Sequence, residues 1–309
     1  MITWEPVVVR AAQLTSSTVP YPDTGETAWV TATAYVAGDT RSHEVDGLLH
    51  KFEVKQNHTS SASNAPKAFP NENAYWTDLG AVNRYKMFLL ERNQQTESAS
   101  PLVVEITPGE RVGAIAASRI VADSLQVQVY DGATLLYDET HDLIDRTVYG
   151  WQDWLFQPFR QRANFIAVNL PVLTTATVKL TFTKASGNVK VGPTCIGMPF
   201  NVGDMEFKPQ IRERNFTVVE RDAFGNATFD IKLSVPQTSG RLTLKKARIN
   251  QVMGLIDSLN GRVTCWSGLD DNVTDDYFNA LFLIGFYRRK EYILEGKQHF
   301  AIDIDIEGI

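Results

Sequence analysis

Cysteine is nearly absent from this chain of 309 residues, and that scarcity excludes a common way of stabilising small domains. Cys195 and Cys265 are the only two, and they form neither a disulfide framework nor a metal-binding motif. We expect both to be reduced, inert thiols, as in a protein folded in a reducing cytoplasm. A chain of this length can bury several small cores without such cross-links.

Long apolar runs and an excess of positive charge are also missing. No stretch approaches about 18 continuous apolar residues, so we expect no membrane insertion. Residues 1–10 lack the basic start and apolar stretch of a signal peptide. The net charge of −6 argues against nucleic acid as a partner, because nucleic-acid-binding proteins are normally basic on at least one face.

Motifs that carry chemistry are absent as well. The sequence has no Gly-x-Ser-x-Gly elbow and no Walker or dinucleotide-binding loop, and its five histidines do not occur at metal-ligand spacing. Three pairs of carboxylates lie in polar, turn-like stretches, where solvated turns are favoured over a glycosidase pair or a calcium site: Asp142 with Asp145, Asp270 with Asp271, and Asp275 with Asp276. We therefore predict a protein that is not an enzyme, with no catalytic residue, no metal and no cofactor.

What the chain does contain is short runs of Val, Ile, Thr, Phe and Tyr, which fit half-buried strands. The predicted fold class is mainly β and multi-domain. Shifts in composition divide it into an N-terminal arm (1–20), a small β module (21–95), an antiparallel β-sandwich (96–195) and a C-terminal α+β segment with one main helix (196–309).

The sandwich has the clearest pattern. Leu102–Ile106, Ser124–Tyr130 and Thr177–Thr183 read as strands, and Asp131-Gly132 is a hairpin signal. Strands at this spacing, with turns between them, indicate a sandwich of jelly-roll type.

The first two segments carry weaker signals. In the arm, Val7–Arg10 is one candidate strand, and the arm either adds a strand to a neighbour or packs on its own domain. In the small module, Trp29–Tyr35 and Leu48–Lys55 read as strands, and a long polar loop follows over Gln56–Asn73. So few strands make the module marginal by itself, and we expect it to dock on its neighbour.

The C-terminal segment combines both periodicities. Apolar residues at helical spacing predict a helix over Lys245–Leu259, and strict alternation predicts a strand over Phe300–Glu307. Phe216–Arg221 and Ala227–Val235 flank Phe224-Gly225-Asn226 as a hairpin would, whereas Asn201–Arg214 reads as irregular.

Aromatic residues form two clusters of interest. Trp29, Tyr35, Tyr75 and Trp76 are candidates for carbohydrate binding, since aromatic faces stack on sugar rings, and the alternative is that they form the core of a small module. Tyr75 and Trp76 are adjacent, so on a strand they point to opposite faces. The second cluster spans Tyr149–Phe159.

In that second cluster we take Trp151, Trp154 and Phe159 as candidates for an interface, because aromatic residues are enriched at subunit contacts. The alternative is a loop anchored on the sandwich.

Ordered short motifs resemble a known family. The order Trp29, Tyr35-Val-Ala-Gly-Asp39, His50-Lys-Phe52 and Tyr75-Trp-Thr-Asp-Leu-Gly80 resembles small carbohydrate-binding modules of chitinase type, which phage tails reuse. Asn83-Arg-Tyr-Lys-Met-Phe88 is similar to the segment that follows such a module in virion tail proteins of bacteriophages. Three later motifs resemble the last domain of the same proteins: Ile196-Gly197, Arg221–Asn226 and Cys265–Gly268.

The resemblance implies a structural part of a phage tail, at the tail tip, the baseplate or an appendage connection. It would be made in the host cytoplasm, reside in the virion, and contact other tail proteins and copies of itself in a symmetric assembly. The alternative is a receptor-binding tail protein that recognises a host surface glycan. A glycan-depolymerising enzyme is a third class. This sequence lacks the long repetitive β-helical stretches that are typical of such enzymes.

Overall fold

The computed structural model describes residues 1–23, 26–91, 93–145, 148, 150–157, 160–206, 208–269, 277–294 and 298–309. In these ranges the chain forms antiparallel sheets and one main helix, so the predicted mainly β fold is confirmed. No helix among the described residues is long and apolar enough to cross a bilayer. The boundaries of the four segments stay a prediction.

The strands of the first third are β1 (Ile2–Trp4), β2 (Leu14–Ser17), β3 (Ala34–Tyr35), β4 (Thr40–Val45), β5 (Leu48–Val54), β6 (His58–Thr59), β7 (Trp76–Ala81) and β8 (Thr96–Ala99). Those of the middle third are β9 (Leu102–Ile106), β10 (Ala114–Ala117), β11 (Ser124–Asp131), β12 (Thr134–Asp142), β13 (Ile144–Asp145), β14 (Arg160–Gln161), β15 (Phe165–Val168), β16 (Ala176–Thr183), β17 (Asn188–Val191) and β18 (Thr194–Gly197).

The remaining strands are β19 (Phe200–Asn201), β20 (Asp204–Met205), β21 (Gln210–Asn215), β22 (Val218–Arg221), β23 (Ala227–Asp230), β24 (Ser234–Lys245), β25 (Thr264–Ser267), β26 (Phe282–Ile293) and β27 (His299–Gly308). The α-helices are α1 (Trp151–Phe156), α2 (Ile249–Ser258) and α3 (Phe278–Leu281). Short 3-10 helices span Ala62–Asn64, Asn83–Phe88 and Lys246–Arg248.

The small module contains a three-stranded sheet, ordered β4-β5-β7, and a separate pair of β3 with β6. The predicted strand Leu48–Lys55 is confirmed as β5. The predicted strand Trp29–Tyr35 is wrong over most of its length, and only its last two residues are extended, in β3. The reason is Ala32, whose φ of 58° lies in the left-handed region and breaks an extended run.

The sandwich combines a five-stranded sheet, ordered β12-β11-β16-β9-β2, with a three-stranded sheet, ordered β15-β10-β18. Side chains of both sheets share one core. Buried residues alternate with partly exposed ones along β11 and β16, as burial of one sheet face requires. The hairpin predicted at Asp131-Gly132 joins β11 to β12, with Gly132 at a positive φ of 57°.

The C-terminal segment is built on one large sheet, ordered β19-β1-β25-β26-β27-β24-β20, with β21 also pairing to β24. Val252 and Ile256 of α2 share a core with Leu242 and Ile302 of the sheet. The predicted helix is confirmed, its first turn being 3-10, and the predicted strand is confirmed as β27, in which Ala301 and Glu307 at the alternate positions are buried as well. The expectation of irregular structure over 201–214 is wrong, because β20 and β21 both pair with β24 there.

The N-terminal arm adds strands to two sheets of its own chain. Ile2–Trp4 forms β1, which lies between β19 and β25, and Leu14–Ser17 forms β2 at the edge of the sandwich beside β9. The strand predicted at Val7–Arg10 is wrong, since this stretch connects the two. A strand of three residues such as β1 is too short to show a period in the sequence, and its partners alone determine it.

Gly285 marks the tightest backbone approach in the large sheet, between β25 and β27. A Cβ atom there would lie 2.0 Å from the carbonyl oxygen of Glu307. We therefore expect Gly285→Ala to destabilise the fold by about 1–3 kcal/mol or more, measured by urea unfolding.

Gly254 is the matched control, because it lies in α2 and a Cβ there would meet nothing within 4 Å. Gly254→Ala should stabilise the protein by about 0.5–1 kcal/mol, since alanine restricts the unfolded chain and favours helix. Unchanged stability of Gly285→Ala would contradict the pairing of β26 with β27.

Candidate interaction surfaces

The aromatic residues of the small module divide by burial. Tyr35 is 2% exposed and Trp76 is 0% exposed, and their ring centroids lie 5.4 Å apart in an edge-to-face contact. The indole Nε1 of Trp76 donates a hydrogen bond of 2.9 Å to the carbonyl oxygen of Asn64. These two rings are therefore core residues, the alternative that the sequence left open, and they present no open face on which a sugar ring could stack.

Trp29 and Tyr75 are partly exposed and pack against that core from outside. A histidine accompanies each of them: the ring of Trp29 lies 5.0 Å from that of His43, and the ring of Tyr75 lies 4.8 Å from that of His58. The structure thus brings the four predicted residues into one module, with two inside and two at its surface.

Phe69 is an exposed aromatic residue that sequence analysis missed, because it lies inside the polar loop 56–73. Its side chain is 78% exposed, while its backbone N–H donates a 3.0 Å hydrogen bond to Asp78 Oδ2. The loop is thus held to β7 at this point, and the ring remains in solvent. No periodicity could have indicated it, since the loop has none.

Asp78 is the polar centre of the module. Its side chain is 6% exposed, and both carboxylate oxygens lie 3.1 Å from Nδ1 of His50. It also accepts hydrogen bonds from the backbone N–H groups of Phe69 and Gly80. Burial alone would raise the pKa of Asp78, but the hydrogen bonds from His50, Gly80 and Phe69 outweigh burial and lower this pKa.

This lowered pKa predicts acid sensitivity. The folded-state pKa of Asp78 is below its unfolded value of about 3.9, so its contribution to stability is complete above that pH and is lost as the pH falls through the folded-state pKa. We expect Asp78→Asn to lower the free energy of unfolding by about 1–3 kcal/mol at neutral pH, measured by urea unfolding. The amide NH2 group of asparagine would face the N–H groups that now donate to the carboxylate of Asp78.

At a pH below the folded-state pKa of Asp78, the variant and the native chain should converge in stability, since both then carry an uncharged side chain. Glu53→Gln is the matched control, because Glu53 is an exposed carboxylate on the same sheet. A loss in Asp78→Asn that stays constant across this pH range would rule out the ionised carboxylate as its source.

Helix α1 displays the second aromatic cluster. Trp151 is 76% exposed and Trp154 is 75% exposed, and their spacing of three residues places them on one face of the helix. Phe156, at the end of the helix, is 74% exposed. Phe159, the third interface candidate, lies outside the described residues. That this cluster forms an interface stays a prediction.

Another uncovered apolar surface lies in a segment that the sequence indicated only as a hairpin. We call residues 210–236 the ribbon: β21 pairs with the first half of β24, and β22 pairs with β23 beyond them. The hairpin predicted around Phe224 is thereby confirmed. Apart from its base, nearly all of the ribbon is exposed, including every residue of β21, β22 and β23.

The outer half of the ribbon is amphipathic. Val219 lies directly opposite Phe229, and Ile231 follows Phe229 two residues later, just beyond the end of β23. The neighbouring pair, Val218 opposite Asp230, belongs to the other face. Val219, Phe229 and Ile231 are 49%, 60% and 84% exposed, so no described part of this chain covers them.

A rigid turn ends the ribbon. The carboxylate of Asp222 accepts hydrogen bonds from the backbone N–H groups of Phe224 and Asn226 and from the amide of Asn226. These hydrogen bonds lower the pKa of Asp222, the largest effect coming from the side chain of Asn226. Phe224 lies at the apex of this turn with 91% of its surface in solvent.

The carboxylate pairs considered in the sequence have ordinary structural surroundings where they are described. Asp142 Oδ1 accepts a 2.9 Å hydrogen bond from the backbone N–H of Ile144, as in a turn. The clusters at 270–271 and 275–276 lie outside the described residues. Among the residues that are described, no group of three or more His, Cys, Asp or Glu side chains is arranged to hold a metal ion.

Comparison with known protein families, with curated proteins and with solved structures finds no match to this chain.

Proposed function

We propose that this chain is a non-enzymatic structural component of a bacteriophage tail, located at the tail tip, the baseplate or an appendage connection, and that it acts through protein–protein interfaces. The observation that carries the proposal is the ribbon, whose apolar face has no cover within the described chain. Contiguous exposed apolar surfaces are uncommon on folded proteins, and they mark sites of contact with other proteins.

The energetics of the ribbon support the same conclusion. An isolated two-stranded hairpin is marginally stable in water, because its conformational entropy is opposed by little buried surface. The ribbon also has two strand edges whose backbone groups can pair with further strands, and unprotected edges invite association. A surface that costs stability in the free chain is explained if assembly covers it.

The motif that resembles virion tail proteins has a definite place in the fold. Asn83–Phe88 forms a 3-10 helix, and Tyr85 and Met87 contribute to the core of the sandwich. The backbone N–H of Asn83 donates to the side chain of Glu26, and its side-chain amide donates to the carbonyl oxygen of Glu97. The motif thus joins the small module to the sandwich, which suits a protein that links parts of an assembly.

The location of the protein tests the proposal. We expect mass spectrometry of tails purified from intact particles to find this chain at a constant ratio to the other tail proteins. Cryo-electron microscopy of the same particles should show its density in the tail. A chain that is missing from purified particles and turns over a substrate as a free monomer would contradict the proposed function.

A second candidate function is recognition of a host surface glycan by the small module. It is favoured by one observation: the exposed ring of Phe69 extends from a loop held by Asp78, on the same module as the partly exposed Trp29 and Tyr75. Aromatic faces of this kind can stack on a sugar ring.

Glycan-array binding by the purified protein tests this candidate. If it holds, Phe69→Ala should weaken binding at least about tenfold, a loss of about 1.4 kcal/mol. Phe224→Ala is the matched control, since Phe224 is a similarly exposed phenylalanine outside the module. Trp76→Ala is unsuitable as a probe, because emptying a buried tryptophan site costs about 3–5 kcal/mol of stability. Equal binding by Phe69→Ala and the native chain would leave Phe69 without a role.

A further inference from the structure

The outer half of the ribbon has the composition of one half of an interface. Val219 and Phe229 form a cross-strand apolar pair, the exposed Ile231 lies just beyond β23, and Phe224 stands at the apex. Charged side chains, including Glu220 and Asp230, alternate with these apolar positions. An apolar centre with a charged margin is the usual anatomy of a protein–protein contact.

The charge of the ribbon indicates which partner fits. Residues 210–236 contain four basic side chains, at 212, 214, 221 and 232, and four acidic ones, at 213, 220, 222 and 230. The ribbon is therefore neutral within a chain of net charge −6. A strongly acidic or basic partner would gain little by approaching it, whereas a second ribbon meets no net repulsion.

The exposed area is of the right order for such a pairing. With about 150–200 Å² for a fully exposed side chain of this size, the four apolar residues leave roughly 500 Å² in solvent at their exposures of 49%, 91%, 60% and 84%. A stable interface buries about 800 Å² on each partner, of which roughly 60% is apolar. Val219, Phe229 and Ile231 together with the apical Phe224 accordingly supply about what one side of a dimer requires.

We infer that two copies of this chain associate through their ribbons, with the exposed apolar residues Val219, Phe224, Phe229 and Ile231 packed against the same surface of the second copy. The contact is isologous, since the same surface is used on both sides. The inference identifies the partner of the surface that carries the proposed function, and it rests on that function.

The chain offers a closely matched pair of variants. Val218 and Val219 are adjacent, similarly exposed at 42% and 49%, and on opposite faces of β22. In sedimentation velocity over a micromolar concentration series, the full-length chain should form dimers. Val219→Asp should raise the dissociation constant at least about tenfold, because it places a carboxylate in an apolar contact, and Val218→Asp should change it less than about threefold.

Cross-linking tests the contact without disturbing it. With a short bismaleimide, Val219→Cys should give a covalent dimer, whereas Val218→Cys, on the opposite face of β22, should give far less. The native thiols do not interfere, because Cys195 and Cys265 are both buried. The cross-link also remains informative if Val219→Asp unfolds the ribbon.

Three results would overturn the inference: a native chain that stays monomeric at about 100 µM, equal weakening by the two valine variants, or association that only Trp151→Asp removes, which would place the contact at α1. The first of these, together with presence of the chain in purified tails, would leave the proposed function intact. If the chain forms ribbon-dependent dimers but is missing from purified particles, the inference stands and the proposed function is wrong.

Discussion

The pairing of β1 with β25 is the constraint on which the arrangement of the whole chain depends. Thr3 hydrogen-bonds through its side chain to the carbonyl oxygen of Cys265, 262 residues away. Trp4, 1% exposed, lies in a core that also contains Ala116 and Ile166 of the sandwich and Ile284 of the large sheet. This single short strand therefore completes the large sheet on one side and contributes to its contact with the sandwich.

The packing next to β1 leaves no space for a side chain at Gly197. A Cβ atom at Gly197 would lie 2.4 Å from the carbonyl oxygen of Glu5, just beyond the strand. The residues after β1 then lead to β2, which pairs with β9 at the edge of the sandwich. The first seventeen residues thus connect two sheets, and loss of β1 would separate β19 from β25 and expose the β25 side of the large sheet.

Sequence patterns predicted the elements whose residue types have a simple period. β27 alternates strictly and α2 has apolar residues at helical spacing, so both could be found from residue types alone. β4 was missed because Thr40–Val45 has almost no apolar residue, and β1 because three residues show no period. In these two strands the partner determines the structure, which a single sequence does not reveal.

The candidate surfaces show the same division. Composition drew attention to Trp76 and Trp151 alike, but the fold buries the first completely and leaves the second in solvent. The hairpin around Phe224 was predictable from its turn, whereas its lack of cover was not, because cover comes from distant segments or from other molecules.

The separation of β1 from its partners has a consequence for synthesis. A ribosome makes the strand Ile2–Trp4 some 260 residues before it makes β25, so the nascent chain must hold Trp4 without these neighbours throughout that interval. The sandwich can close meanwhile, as its strands lie closer in sequence. The large sheet can therefore be completed only after β25 has been made, and the interval before that is when a chaperone would be of most use.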